Sequence, residues 1–156
     1  MSREASAALC ADECGSACCT GGAYLRPADA DRLRAAGHET AVADDGRRTA
    51  TGADGACQLL DEEGHCTVYD DRPLDCRLFP LGFVLDDESA VVRIVLVGCP
   101  LSSRYSSDDR RELVSRARAL LAKFDATELR RYDDLPFTGE HNELATIAYD
   151  TLPHDL

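Results

Sequence analysis

Eight cysteines carry the most specific chemistry of this sequence, and all of them fall in its first two thirds. Cysteine thiolates are the preferred ligands of zinc and of iron–sulfur clusters. In a reducing compartment disulfides are rare, so this density of thiols is more typical of metal binding than of cross-linking. We therefore predict a metal ligand at each cysteine: Cys10, Cys14, Cys18, Cys19, Cys57, Cys66, Cys76 and Cys99.

The first cluster places four thiols within ten residues, at Cys10, Cys14, Cys18 and Cys19. The first three are four residues apart, so a helix would align their side chains along one face. Gly15 equally favours a tight loop that wraps around a ligand. Chance clustering in an apolar core explains this spacing poorly, because a core has no need for adjacent cysteines.

The second cluster is more open, with Cys57, Cys66 and Cys76 separated by eight and nine residues. Gly64 favours a turn just before Cys66, and Pro73 stiffens the approach to Cys76. Cys99 follows an apolar run of residues and would be delivered at the end of a strand. Turn-forming residues beside each cysteine are typical of a backbone that must bend around a metal centre.

These two clusters resemble the YkgJ-like cysteine-cluster family of zinc- or iron-chelating domains. Members have a dense N-terminal cluster ending in Cys-Cys, then a Cys…Cys-x-x-Tyr-x-x-Arg-Pro-x-x-Cys-Arg-x-Phe/Tyr-Pro segment. That segment here comprises Cys57, Cys66, Tyr69, Arg72, Pro73, Cys76, Arg77, Phe79 and Pro80. The spacing of three residues between Cys14 and Cys18 departs from the family's two. The resemblance covers about residues 10–100 and implies a metal-chelating module.

Either an iron–sulfur cluster or zinc fits this ligand set. Structural zinc sites usually contain Cys-x2–4-Cys pairs. Cys10-x3-Cys14 fits that spacing, but the chain has no Cys-x2-Cys pair, and adjacent Cys18 and Cys19 suit a single zinc ion poorly. A [4Fe–4S] cluster is larger than one ion and suits irregular loops. Flagellin lysine methylases, which resemble this family in their cysteine pattern, are associated with an iron–sulfur cluster. One such cluster uses four cysteines, and the other four would ligate a second centre, stay as thiols or pair by redox chemistry.

Two arginines, Arg72 and Arg77, bracket Cys76. A guanidinium beside a thiolate-bound centre would offset its negative charge and donate hydrogen bonds to sulfur. The alternative is that these arginines pair with neighbouring acids, Asp70, Asp71 or Asp75.

Charge and composition limit the classes of binding partner that this chain is expected to have. The net charge of −12 disfavours nucleic acid and anionic membranes, because both require clustered Lys and Arg. No apolar run approaches the ~18 residues of a membrane span, and residues 1–10 lack the apolar region of a secretory signal. We therefore expect an acidic, cytoplasmic protein whose partner is a metal ion or cluster.

The elements around the cysteines predict a small irregular α+β domain. Leu81–Leu85 and Ala90–Val97 form a hairpin pattern, and Pro27–Ala36 predicts a helix ended by Gly37. Three further helices are expected after Cys99: Arg110–Phe124 capped by a serine, Thr127–Tyr132 capped by Thr127, and Glu140–Thr151. We interpret residues 1–156 as one domain, with a metal-binding part at 10–100 and a helical cover at 101–156.

Three functions are consistent with these features. The preferred hypothesis is a metal- or cluster-binding protein with a redox, sensing or metal-handling role. The others are a zinc-stabilised interaction module and an enzyme that uses the cluster directly. The sequence contains no phosphate-binding glycine loop, serine nucleophile elbow or His-Glu-x-x-His motif, which favours a binding protein over an enzyme.

Overall fold

The computed structural model describes residues 3–133 and 140–156, with side chains from residue 8 onward. The chain divides into two compact units, Met1–Arg77 and Leu78–Leu156. The α-helices are α1 (Arg3–Cys14), α2 (Pro27–Ala35), α3 (Leu74–Leu78), α4 (Ser107–Leu121) and α5 (Ala126–Asp133). The strands are β1 (Leu81–Asp86), β2 (Val91–Val97) and β3 (His141–Ala148). Short 3₁₀ turns occupy Ala17–Cys19, Glu39–Ala41, Tyr69–Asp71, Ser102–Arg104 and Tyr149–Thr151.

The first unit contains two longer helices and a backbone joined by isolated β-bridges rather than by extended strands. Its apolar cluster consists of six buried residues: Leu25, Ala30, Leu33, Ala41, Val42 and Leu59. Cys57 and Val68 pack against this cluster from partly buried positions. The core of this unit therefore reaches directly to a predicted metal ligand.

Helix α2 follows from its end signals. Pro27 stands at the first position, where its missing N–H costs no hydrogen bond. Gly37 adopts a left-handed φ of 87°, and the N–H of His38 reaches back to the carbonyl of Leu33. This closure ends the helix as the sequence predicted.

The second unit is built on a three-stranded antiparallel sheet of order β1-β2-β3. The hairpin of β1 and β2 confirms the prediction for residues 81–97, with Phe83 opposite Ile94. Strand β2 lies in the centre, and its Val92, Ile94 and Val95 are at most 1% exposed. A near-continuous apolar strand is thus a central one, as the pattern indicated.

Two helices of this unit confirm their predicted existence but not all of their caps. Ser106 caps α4 through a capping box, in which its hydroxyl and Asp109 satisfy each other's backbone N–H. For α5 the prediction of Thr127 as the cap was wrong. Asp125 accepts from the N–H of Glu128, and the Glu128 carboxylate accepts from the N–H of Asp125. Asp is the stronger capping residue, and the helix accordingly begins one residue earlier.

The predicted helix at residues 140–151 was wrong, because His141–Ala148 forms strand β3. It pairs with the second edge of β2, with Val92 opposite Ile147. A buried central strand must satisfy its backbone N–H and C=O groups on both sides, and this demand outweighs local helix propensity. The β-branched pair Thr146 and Ile147 is compatible with a strand.

The α+β class is confirmed, with a small antiparallel sheet and helices in one chain. The interpretation of residues 1–156 as a single domain, with a metal-binding part and a cover, stays a prediction. Among the described residues, no helix is long and apolar enough to cross a membrane.

Phe83 is the residue on which the second unit's core is expected to depend most. It is fully buried and meets Phe124 and Tyr132 edge to face, with ring centroids 5.8 and 6.0 Å apart. We expect Phe83→Ala to lower the free energy of unfolding by about 3–5 kcal/mol, because it leaves a cavity and loses both ring contacts. Urea denaturation measures the change, and Glu112→Ala on the exposed face of α4 should stay within about 0.5 kcal/mol of wild type. Equal losses in the two variants would contradict this assignment of the core.

Candidate metal centre

The first cysteine cluster lies where α1 ends. Cys10 and Cys14 are one turn apart on α1, and the Cys14 thiol donates to the Cys10 carbonyl at 3.3 Å. Gly15 and Ser16 then adopt left-handed φ values of 57° and 56°, and the Ser16 N–H returns to the Cys10 carbonyl at 2.8 Å. The chain continues into the 3₁₀ turn that carries Cys18 and Cys19. The structure thus combines the two alternatives, a helix through Cys14 and a tight turn after Gly15.

Backbone contacts join this first cluster to the second. Ser16 is 4% exposed, and its hydroxyl donates to the Gly64 carbonyl at 2.6 Å. The Cys57 N–H donates to the Cys19 carbonyl at 2.9 Å, next to a bridge between Thr20 and Ala56. Residues about forty positions apart in sequence are therefore held side by side.

The turn before Cys66 is organised by Asp61. Its carboxylate accepts from the N–H groups of Glu63 and His65 at 2.9 and 2.8 Å, and Gly64 adopts a left-handed φ of 83°. The bridge between Leu60 and Cys66 closes the loop. This side-chain turn explains why Cys66 returns towards Cys57 without regular strands.

Cys76 lies on the short helix α3, after Arg72 and Pro73. The Arg72 guanidinium stacks over the Tyr69 ring, 3.7 Å from its centroid, and its Nε donates to the Tyr69 carbonyl at 2.9 Å. Asp75 accepts from the Tyr24 N–H at 2.8 Å. Its carboxylate therefore anchors α3 to the segment that follows the first cluster.

The adjacent thiols of Cys18 and Cys19 have pKa values that are shifted in opposite directions. A hydrogen bond from Cys18 lowers the pKa of Cys19 to about 7, against the effect of burial and with help from the Arg72 charge. The same hydrogen bond, together with burial and the charges of Cys19, Cys10 and Cys14, raises the pKa of Cys18. Above about pH 7 the pair therefore shares one proton, which stays on Cys18.

The deeper thiols respond mainly to burial. Loss of water raises the pKa of Cys76 well above its usual range, and the negative charges of Asp75, Cys19, Cys57 and Cys66 add to the rise. Burial also raises the pKa of Cys66, while the Val68 N–H and the Arg72 charge lower it, and Cys19 and Cys57 raise it further. Each of these thiolates is thus within electrostatic reach of several others.

These interactions divide the seven cysteines of the first unit into two overlapping groups. One group follows α1 and comprises Cys10, Cys14, Cys18 and Cys19. The other brings together segments distant in sequence and comprises Cys19, Cys57, Cys66 and Cys76. Within residues 3–133 and 140–156, no three metal-binding side chains are already gathered at ligand spacing. Binding a metal therefore requires side-chain movement.

Cys99 belongs to the second unit and has its own local turn. Its sulfur accepts from the Leu101 N–H at 3.3 Å, and the Ser102 hydroxyl donates to its carbonyl at 2.7 Å.

Comparison with known proteins then identifies the family. The CxxCxxCC family model, described as a putative zinc- or iron-chelating domain, matches residues 9–96. The chain belongs to this family. As a CxxCxxCC protein it is a metal-binding cysteine-rich domain, and the match includes seven of the eight cysteines, all except Cys99. No curated protein and no solved structure matches the chain.

Two residues that organise the CxxCxxCC cluster were not predicted from the sequence, Ser16 and Asp29. Ser16 gives no signal of its own, because its contact with Gly64 depends on the fold. Asp29 lies between Arg26 and Arg32 in an Arg-x-x-Asp-x-x-Arg pattern, a helical spacing typical of an ion-paired triad.

We expect Cys19 to be the most reactive thiol of the metal-free protein. A pKa of about 7 leaves about half of Cys19 as thiolate at pH 7, and the thiolate is the nucleophile. Its alkylation by iodoacetamide should rise with pH around a midpoint near 7, followed for each cysteine by mass spectrometry. Cys18→Ala removes the hydrogen-bond donor and should move that midpoint upward. A midpoint at the ordinary cysteine value in the wild type would contradict the shared proton.

Proposed function

We propose that this chain holds an iron–sulfur cluster of the [4Fe–4S] type and uses it in a redox, sensing or metal-handling role. Cys19, Cys57, Cys66 and Cys76 form the principal ligand set. The observation that carries the proposal is their convergence: four thiols from distant segments share one electrostatic neighbourhood beside the Arg72 guanidinium.

The donor set fits such a group chemically. Four thiolates are the usual ligands of a [4Fe–4S] cluster, and a positive charge beside them offsets part of the net negative charge. Arg72 is fixed by the Tyr69 ring and carbonyl, and its charge lowers the pKa of both Cys19 and Cys66. The Val68 N–H supplies a hydrogen bond to the Cys66 sulfur, a contact that tunes cluster potentials.

The spacing of these four cysteines supports a cluster over a single ion. No Cys-x2-Cys pair is present, and neighbours in the set are separated by thirty-seven, eight and nine residues. A tetrahedral zinc site is smaller and usually takes its ligands in short pairs. Cys10, Cys14 and Cys18 of the first unit and Cys99 of the second unit lie outside this set. When bound, the cluster supplies one-electron chemistry, and the chain supplies its binding and charge environment.

The first test is composition. Protein purified without air should contain about four iron atoms and four acid-labile sulfides per chain and show a broad thiolate-to-iron absorption band near 400 nm (roughly the position expected for this ligation). A colourless protein with one or two zinc ions would replace the cluster by a zinc-stabilised interaction module. Protein without any bound metal would overturn the proposal.

Three single substitutions test the ligand set, two at proposed ligands and one at the adjacent Cys18. Cys19→Ser and Cys76→Ser should remove most of the cluster absorption, because each deletes one of its four ligands. Cys18→Ser should retain it, since Cys18 is exposed and lies outside the proposed ligand set. Iron content per folded chain is the measurement. Equal losses in Cys18→Ser and Cys19→Ser would contradict the proposed set.

The charge of Arg72 gives an independent prediction. Arg72→Gln removes a positive charge beside the cluster and should make its reduction potential more negative, because the reduced form carries the additional negative charge. Exposed Arg77→Gln, five residues away, is the matched control and should change the potential less. Protein-film voltammetry measures the reduction potential of each variant and of wild type. An Arg72→Gln potential identical to that of wild type would exclude Arg72 from the site.

A further inference from the structure

Asp29 is a buried carboxylate that the metal-binding signature does not include. It lies in the first turn of α2 and is 1% exposed. Arg26 Nε lies 3.1 Å from its Oδ2, and Arg32 Nη2 lies 3.0 Å from its Oδ1. Burying a charge is costly unless it is paired and hydrogen-bonded, so this arrangement is maintained by specific partners.

The contacts of this carboxylate extend far along the chain. Asp29 Oδ2 also accepts a hydrogen bond from the N–H of Leu74, at 3.4 Å. Leu74 is the first residue of α3. Arg32 Nη2 donates in addition to the carbonyls of Asp71 and Arg72, both at 3.2 Å. The Asp29–Arg32 pair therefore fixes the backbone from residue 71 to residue 74.

That backbone carries two groups of the proposed centre. Arg72 places its charge near Cys19 and Cys66, and Cys76 follows Leu74 within α3. The Leu74 N–H would otherwise be one of the unpaired donors at the start of a helix. Asp29 thus acts as a cap on a helix to which it does not belong.

We propose that Asp29, together with Arg32, is a positioning residue of the metal centre. The pair holds Arg72 and Cys76 in place before the metal binds, so less conformational entropy is lost when the ligand set closes. This inference rests on the proposed function in taking Cys76 as a ligand. It adds a requirement outside the cysteine motif, namely an intact ion pair on α2.

The test compares Asp29→Asn with Asp31→Asn. Both changes keep the shape of aspartate and remove its charge, but Asp31 is an exposed residue of the same helix that pairs with Arg34. Competition titration of the reduced, metal-free full-length chain with Co²⁺ against a chelator gives the affinity. The intensity of the thiolate-to-cobalt band reports the number of bound thiolates, and urea denaturation gives the stability of each metal-free variant.

Asp29→Asn should weaken Co²⁺ affinity by about 10–100-fold, the range found for residues that orient metal ligands. Its thiolate-to-cobalt band should also fall, because Cys76 is displaced. Asp31→Asn should keep the Co²⁺ affinity and the band intensity of wild type. Arg32→Lys keeps the charge but loses the planar fork that reaches both carbonyls, and should give an intermediate loss. This milder variant serves the test if Asp29→Asn does not fold.

The opposite results are equally definite. Wild-type affinity and band intensity in Asp29→Asn, or in a folded Arg32→Lys when Asp29→Asn is unfolded, would overturn the inference. Equal losses of band intensity in Asp29→Asn and Asp31→Asn would do the same. If Cys76→Ser weakens binding while Asp29→Asn does not, only the positioning role fails. Wild-type protein that binds no Co²⁺ would overturn both this inference and the ligand set.

Discussion

Thiolates that lie close together repel one another, and burial makes each of them more costly to form. Cys76 experiences both effects, because loss of water and three neighbouring cysteines all raise its pKa. A cation reverses this balance, since the same convergence that opposes ionisation becomes a set of ligands. The metal is therefore expected to stabilise the first unit as well as give it a function, as in other domains whose metal-binding energy is also folding energy.

The first unit must position these thiols with little regular structure. Its segments are joined by isolated bridges, by the Cys57 N–H on the Cys19 carbonyl, and by the Ser16 hydroxyl on Gly64. Each contact is one hydrogen bond, worth about 0.5–1.5 kcal/mol in net terms. Side chains that fix two backbone segments at once, such as Asp29, consequently have more influence here than they would in an extended sheet.

The sequence predicts those parts of the molecule that depend on local signals. Helix α2 and the β1–β2 hairpin carry their own start, stop and alternation patterns, and both are present. Strand β3 carries no such signal, because its conformation is imposed by the free edge of β2. Likewise the cysteines predict a metal site from their number and spacing. Their grouping around Cys19, however, depends on contacts between residues about forty positions apart, and the spacing alone does not predict those contacts.

Cys-Cys pairs pose a problem for a metal centre, because two adjacent thiolates would repel strongly. The hydrogen bond between Cys18 and Cys19 resolves it by leaving the proton on one sulfur and the negative charge on the other. A metal ligand must be a thiolate, and in the metal-free protein Cys19 ionises more readily than Cys18. Cys18 then has a different use: a thiol donor beside a ligand sulfur withdraws charge from it, and hydrogen bonds to sulfur raise cluster potentials. On this argument the proposed cluster site would use Cys19 as a ligand and Cys18 as the hydrogen-bond donor that tunes it.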